Sequence, residues 1–134
     1  MTPYIVNMSG INKVILVGHL GKDPDLRYLQ NNVAVLSFPL ATSETIIKNG
    51  EKIEQTEWHN IVMWRGLAEA AEKILKKGRL IYMEGKCRTR SFDDKNGLKK
   101  YTTEIVAESF TLLGRPGDFE QDAPIEKKQI PIDE

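Results

Sequence analysis

Both tryptophans of this 134-residue chain fall in one run, Gln55-Thr-Glu-Trp-His-Asn-Ile-Val-Met-Trp64, six positions apart. In a β-strand successive side chains alternate faces, so Trp58, Asn60, Val62 and Trp64 share one surface and His59, Ile61 and Met63 the other. At roughly 3.3 Å per residue the two indoles stand about 20 Å apart. Flat π-surfaces so placed can stack separate bases of a splayed nucleic-acid strand, or form half of an apolar core; on pattern alone the two readings weigh equally.

A second run tips the balance. In Gly85-Lys-Cys-Arg-Thr-Arg-Ser-Phe92, alternation sets Lys86, Arg88, Arg90 and Phe92 on one face and Cys87 on the other with Ile81 and Met83. A line of cations is commonly just a solvated strand face. An aromatic at its end is what a groove that tracks phosphates and stacks bases requires, and arginine can both pair with phosphate and stack on a base. Lysines between Lys95 and Lys100 extend the charge. Cys87, by the same alternation, is expected to be a small buried apolar residue.

Catalysis finds no support. His59 has no serine, cysteine or carboxylate at a recognisable spacing, and a histidine facing a core or an interface is commoner than a catalytic one. Gly18-x-x-Gly21 lacks the third glycine of a dinucleotide site, and Gly114-Arg-Pro-Gly117 has no following helix. One cysteine and two histidines without ligand spacing exclude a structural zinc site, and no cofactor is expected.

The elements that must hold these residues can be read from periodicity. Residues 1–10 show none and read as an extension. Val14–Val17 is an apolar run broken after Gly18, Val33–Thr42 a second β-rich run, and Asn49-Gly50 a turn with Lys48 and Lys52 at its tip, which suggests a long basic hairpin. From Leu67 the pattern Leu67, Ala70, Ala71, Ile74, Leu75 predicts a helix of about three turns, closed by Lys76, Lys77 and Gly78. Leu80–Arg90, Lys100–Val106 and Phe110–Leu113 return to strand character around Asn96-Gly97. Five strands with one helix between the third and fourth is the layout of an all-β OB-fold barrel, although a small α+β sandwich gives a similar string.

Equal numbers of acidic and basic residues, 19 of each, hide a segregation. From Pro116 to Glu134 six acids face two lysines, whereas Lys73–Lys100 holds ten basic against three acidic residues. A locally basic surface is thus joined to an acidic tail, expected to be disordered, over residues 115–134. The absence of a long apolar stretch or a leader pattern predicts a cytoplasmic protein without membrane association.

Several blocks in order and spacing resemble the bacterial single-stranded DNA-binding protein family. They are Asn12-Lys-Val-Ile-Leu-Val-Gly18, Gly21-Lys-Asp-Pro24, Arg27-Tyr28, Leu40-Ala-Thr-Ser-Glu44, Gln55-Thr-Glu-Trp-His59, Leu67-Ala-Glu69, Lys77-Gly78, Glu84-Gly85, Arg88-Thr-Arg90 and Tyr101-Thr-Thr-Glu104. The resemblance spans about residues 11–114 and implies an OB-fold homotetramer. It further implies binding of single-stranded DNA without sequence preference in replication, recombination and repair, in association with the nucleoid. It assigns stacking to Trp58, Trp64 and Phe92, phosphate contact to Lys13, Lys77, Arg88 and Arg90, and subunit contact to His59 and Tyr82. Lys86 joins the DNA set on its strand position.

Two departures stand out. Ile46 occupies a position where well-studied members have another stacking tryptophan, and the chain ends Gln129-Ile-Pro-Ile-Asp-Glu134 where the family recruits replication and repair proteins through a terminal Ile-Pro-Phe. Both lend some support to a rival expectation, an OB-fold protein-interaction paralogue in a primosome or DNA-transfer complex. An RNA-binding cold-shock-like domain is a third, disfavoured by the length of the chain.

Overall fold

Strands of alternating apolar residues can satisfy every backbone group and bury one face only by curling into a closed sheet, and that is what the chain does. A computed structural model describes residues 9–114. In order these form β1 (Val14–Leu20), β2 (Asp25–Tyr28), a 3-10 turn (Gln30–Asn32), β3 (Ala34–Lys48), β4 (Glu51–Trp64), α1 (Arg65–Ile74), β5 (Leu80–Asp93) and β6 (Lys99–Leu112). The acidic tail and most of the N-terminal extension expected from the sequence lie outside the described residues.

The sheet runs β1-β5-β6-β4-β3 and closes through a β1–β3 pairing, with β2 added to the outer side of β3. This is the five-stranded barrel with its helix after the third barrel strand. Two features were not legible in the pattern. The short β2 has no alternation of its own and owes its register to β3, from Asp25↔Ser37 to Tyr28↔Ala34. One seam is parallel: β4 meets β6 at Ile61↔Ile105 and Val62↔Val106, where every other pairing is antiparallel.

Inside lie Leu36, Phe38 and Leu40 of β3, Ile61 and Met63 of β4, Ile81 and Met83 of β5, and Ile105 and Ala107 of β6. The helix adds Ala68 and Ala71, and Leu75, which caps its C-terminus, is buried with them. Ala70 and Ile74, expected on the buried stripe, are exposed. The helix also ends at Ile74, short of the Gly78 stop read from the sequence. Tertiary bonds take the following backbone instead: Gly78 N–H donates to the Leu20 carbonyl (2.8 Å), Leu20 N–H to that of Arg79 (3.0 Å), and Lys77 N–H to Asp23 Oδ1 (2.8 Å). Gly78 keeps its left-handed conformation (φ 90°), in a turn rather than at the helix end.

Gly85 marks a β-bulge where the β5–β6 register shifts. A Cβ there would overlap the Val106 carbonyl oxygen and lie 2.8 Å from Ala107 Cα, against backbone of the strand that forms the parallel seam. Gly85→Ala is therefore expected to destabilise the barrel by about 1–3 kcal/mol, the range for forced overpacking, read as a lowered midpoint in urea unfolding.

Candidate nucleic-acid interface

Because β4 and β6 run parallel at the seam and each begins at a hairpin turn, both hairpins leave the barrel from the same end. The β3–β4 ladder continues unbroken from Val35↔Trp64 to Lys48↔Glu51, and the β5–β6 ladder runs out to Asp93↔Lys99. Their charges differ. The β3–β4 arm has lysines at its tip, Lys48 and Lys52, but Glu44, Glu51, Glu54 and Glu57 along it, so the expectation of a basic hairpin fails there. The β5–β6 arm is the basic one, with Lys86, Arg88, Arg90, Lys95, Lys99 and Lys100 outnumbering its acids.

On β4 the alternation holds. Ile61 and Met63 are buried and His59 half-buried on the inner face, where its Nε2 lies 2.9 Å from Thr42 Oγ1. Trp58 on the outer face is 60% exposed and Trp64 36%, which removes the core reading. Val62, between them, is buried where β4 meets β6. The Trp58 indole lies over Gly21, where a Cβ would come within 2.8 Å of Cη2, with Pro39 alongside. Gly21 N–H donates to the Pro39 carbonyl at 2.9 Å, so the bare backbone that supports the ring is itself fixed. Ile46 pairs with Ile53 across the arm, an aliphatic contact in place of an aromatic platform.

On the basic arm Lys86, Arg88, Arg90 and Phe92 are all exposed, Phe92 at 43%. Arg90 Nε donates to Glu104 Oε2 at 2.8 Å, and Glu104 is the one buried charged side chain among the described residues. That bond uses one of five guanidinium donors, so the arginine can neutralise the carboxylate and still meet a phosphate. Arg88 has no ion pair with a described residue, and Lys86 Nζ is 4.0 Å from Glu108. Lys77 is exposed in the turn after α1. Cys87 is exposed, contrary to its alternation, although it stands opposite the core residue Ile105 of β6. Its backbone is held by the Asn12 side chain, which accepts from Cys87 N–H (3.0 Å) and donates to its carbonyl (2.8 Å).

Lys13 sits elsewhere than the sequence grouping suggested. Its Nζ pairs with Glu84 Oε1 at 2.8 Å, and Tyr82 hydroxyl donates to the other oxygen of that carboxylate. The hydrogen bond from Lys13 holds the Glu84 carboxyl below its usual range, and the same bond raises Lys13. Donation to Glu84 raises the Tyr82 phenol. Beside them Ile15 and Val17 are about half exposed on β1. Lys13 and Tyr82 thus share one surface, whose apolar and paired-ionic character differs from that of the arms.

Two exposed aromatics escaped the sequence reading. Tyr101 (69% exposed) faces Ser91 across the basic arm, and Tyr28 (56%) is the last residue of β2. Tyr101 was legible in principle, lying in a strand directly opposite the cationic run. Tyr28 was not, because β2 itself was invisible.

An OB-fold barrel with exposed aromatics on one sheet and a basic arm leaving beside it defines a nucleic-acid-binding module. The model of the single-strand binding protein family matches residues 11–113. Single-stranded DNA-binding proteins of Neisseria meningitidis serogroup A and Xylella fastidiosa are 47% and 45% identical, over 87% and 83% of this chain and 68% and 83% of theirs. A solved structure titled Plasmodium falciparum SSB complex with ssDNA superposes with a TM-score of 0.73 at 31% identity, covering 81% of this chain and all of that one. The chain belongs to the single-strand binding protein family, whose members are DNA-binding proteins and not enzymes.

Arg90 and Arg88 separate stability from binding. Arg90→Ala leaves the buried Glu104 carboxylate without its partner and should cost roughly 1–3 kcal/mol in urea unfolding. Arg88→Ala, with no ion pair to break, is expected within about 0.5 kcal/mol of the parent by the same measurement.

Proposed function

We propose that the chain coats single-stranded DNA without sequence preference, in replication, recombination and repair, with residues 11–114 as the DNA-binding unit. Bases stack on Trp58, Trp64 and Phe92, while Lys77, Lys86, Arg88 and Arg90 follow the phosphates. The observation that carries this reading is the exposure of Trp58 on a barrel whose core is filled without it. A tryptophan left out of an available core gives up burial of a large apolar surface, and base stacking is the return. Stacking and phosphate contact do not depend on which base is present, so every base composition is served alike.

The subunit surface is the β1–β5 face. Ile15 and Val17 lie exposed beside Tyr82 and the Lys13–Glu84 pair, an apolar patch with a satisfied polar border that suits contact with a second copy. Lys13 sits at that border, paired with Glu84. A homotetramer acting at the nucleoid accounts for this face and leaves both arms free, with His59 at a second contact. Replication and repair proteins are further partners in this reading, met through residues 115–134.

Titration of oligo(dT) should quench indole fluorescence, and log K against log salt should slope near −0.7 for each phosphate neutralised. Trp58→Ala should lose about 1–3 kcal/mol of affinity for every base composition. Unquenched fluorescence with salt-independent binding would refute the reading. In sedimentation velocity, Ile15→Glu should break the oligomer into smaller species that remain folded by circular dichroism; an unchanged oligomer would move the interface elsewhere.

A further inference from the structure

We propose that Arg65 is a phosphate-contacting residue that extends the single-stranded DNA path past Trp64. The inference rests on the DNA-binding reading above. Arg65 adopts a left-handed backbone, φ 52°, where a side chain meets its own backbone and glycine does not. The next residue is Gly66, whose φ is not positive and whose Cβ position is open space. The chain therefore places its glycine where any residue fits and its arginine where glycine fits best. Reversing the two would relieve the strain at no change in composition. A non-glycine residue held in this region at a binding surface points to work done by its side chain.

What the side chain does for the fold is little. Arg65 is exposed and forms no ion pair with a described residue, not even with Glu69 one turn on, whose Oε2 lies 3.5 Å from the Tyr28 hydroxyl. Its surroundings belong to the proposed DNA surface. Trp64 immediately precedes it, and the register row Arg27–Val35–Trp64 crosses β2, β3 and β4, placing a second exposed cation two strands from the indole. Arg27 is bonded to Asp25 (Nε to Oδ2, 3.0 Å), so Arg65 is the cation beside Trp64 that has no carboxylate partner among the described residues. A strand whose base stacks on Trp64 carries its phosphate on one side of that base, and a guanidinium there can pair with the phosphate in two directions. Lys76 and Lys77 add positive charge in the turn after the helix, while Glu69 and Glu72 balance the charge on the helix itself.

The test separates charge from strain. Wild type, Arg65→Gly, Arg65→Gln and Arg65→Lys are compared by oligo(dT) titration at several salt concentrations and by thermal melting. Arg65→Gly is expected to melt no lower than wild type yet to bind with a log–log salt slope shallower by about 0.7, a loss of roughly fivefold in affinity at about 0.1 M salt. Arg65→Gln keeps the side chain but not the charge and should lose the same slope. Arg65→Lys should retain the slope. If Arg65→Gly and Arg65→Gln bind with the wild-type slope, the assignment of Arg65 is overturned while the DNA-binding reading stands. If wild type itself shows no salt-dependent binding, both fall together.

Discussion

The structure depends on one short seam, the parallel pairing of β4 with β6 at Ile61↔Ile105 and Val62↔Val106. Without it the sheet is an open meander with two exposed edges, and Ile61 and Ile105 lose the interior they share with Met63, Ile81 and Met83. The seam also fixes direction. Two hairpins whose returning strands run parallel must leave the barrel at the same end, so an acidic arm and a basic arm rise side by side. Gly85 belongs to the same constraint, since the bulge it permits lets β5 pair with β6 both inside the barrel and along the arm.

Around this frame the apolar residues are divided by shape. Aliphatic and methionine side chains fill the barrel, and large aromatics are kept out: Trp58, Phe92, Tyr28 and Tyr101 are all exposed, and Trp64 is at the border. Phe38, buried in β3, and Phe110, half-buried against the core from β6, are the exceptions. Aliphatic side chains interdigitate in a narrow barrel, whereas flat rings with two free faces serve as platforms for bases. Gly21 backbone lies under Trp58, and the Asn12 side-chain amide pins the start of the basic arm at Cys87.

How far this was legible depends on how local each signal was. The tryptophan stripe, the cationic run and the Asn-Gly turns are contained in a few residues each, and they placed the barrel strands and the exposed aromatic face. The family resemblance added the identity of the partner. Non-local information was what escaped. The short β2 exists because β3 offers it an edge, and the helix stops at Ile74 because Leu20 and Asp23 bind the backbone that would have extended it. Lys13 looked like one more cation until the fold set Glu84 and Tyr82 beside it. The acidity of the β3–β4 arm is in the sequence: Glu44, Glu54 and Glu57 lie behind the tip, and Glu51 lies between its two lysines.

The central claim is that the two tryptophans are solvent-facing platforms that single-stranded DNA covers. Collisional quenching of indole fluorescence by acrylamide, in the free protein and with saturating oligo(dT), tests it most directly. Both indoles should be accessible when free, Trp58 more than Trp64, and strongly shielded when DNA is bound. Indoles that resist acrylamide in the free protein, or that remain equally accessible with DNA bound, would contradict the account.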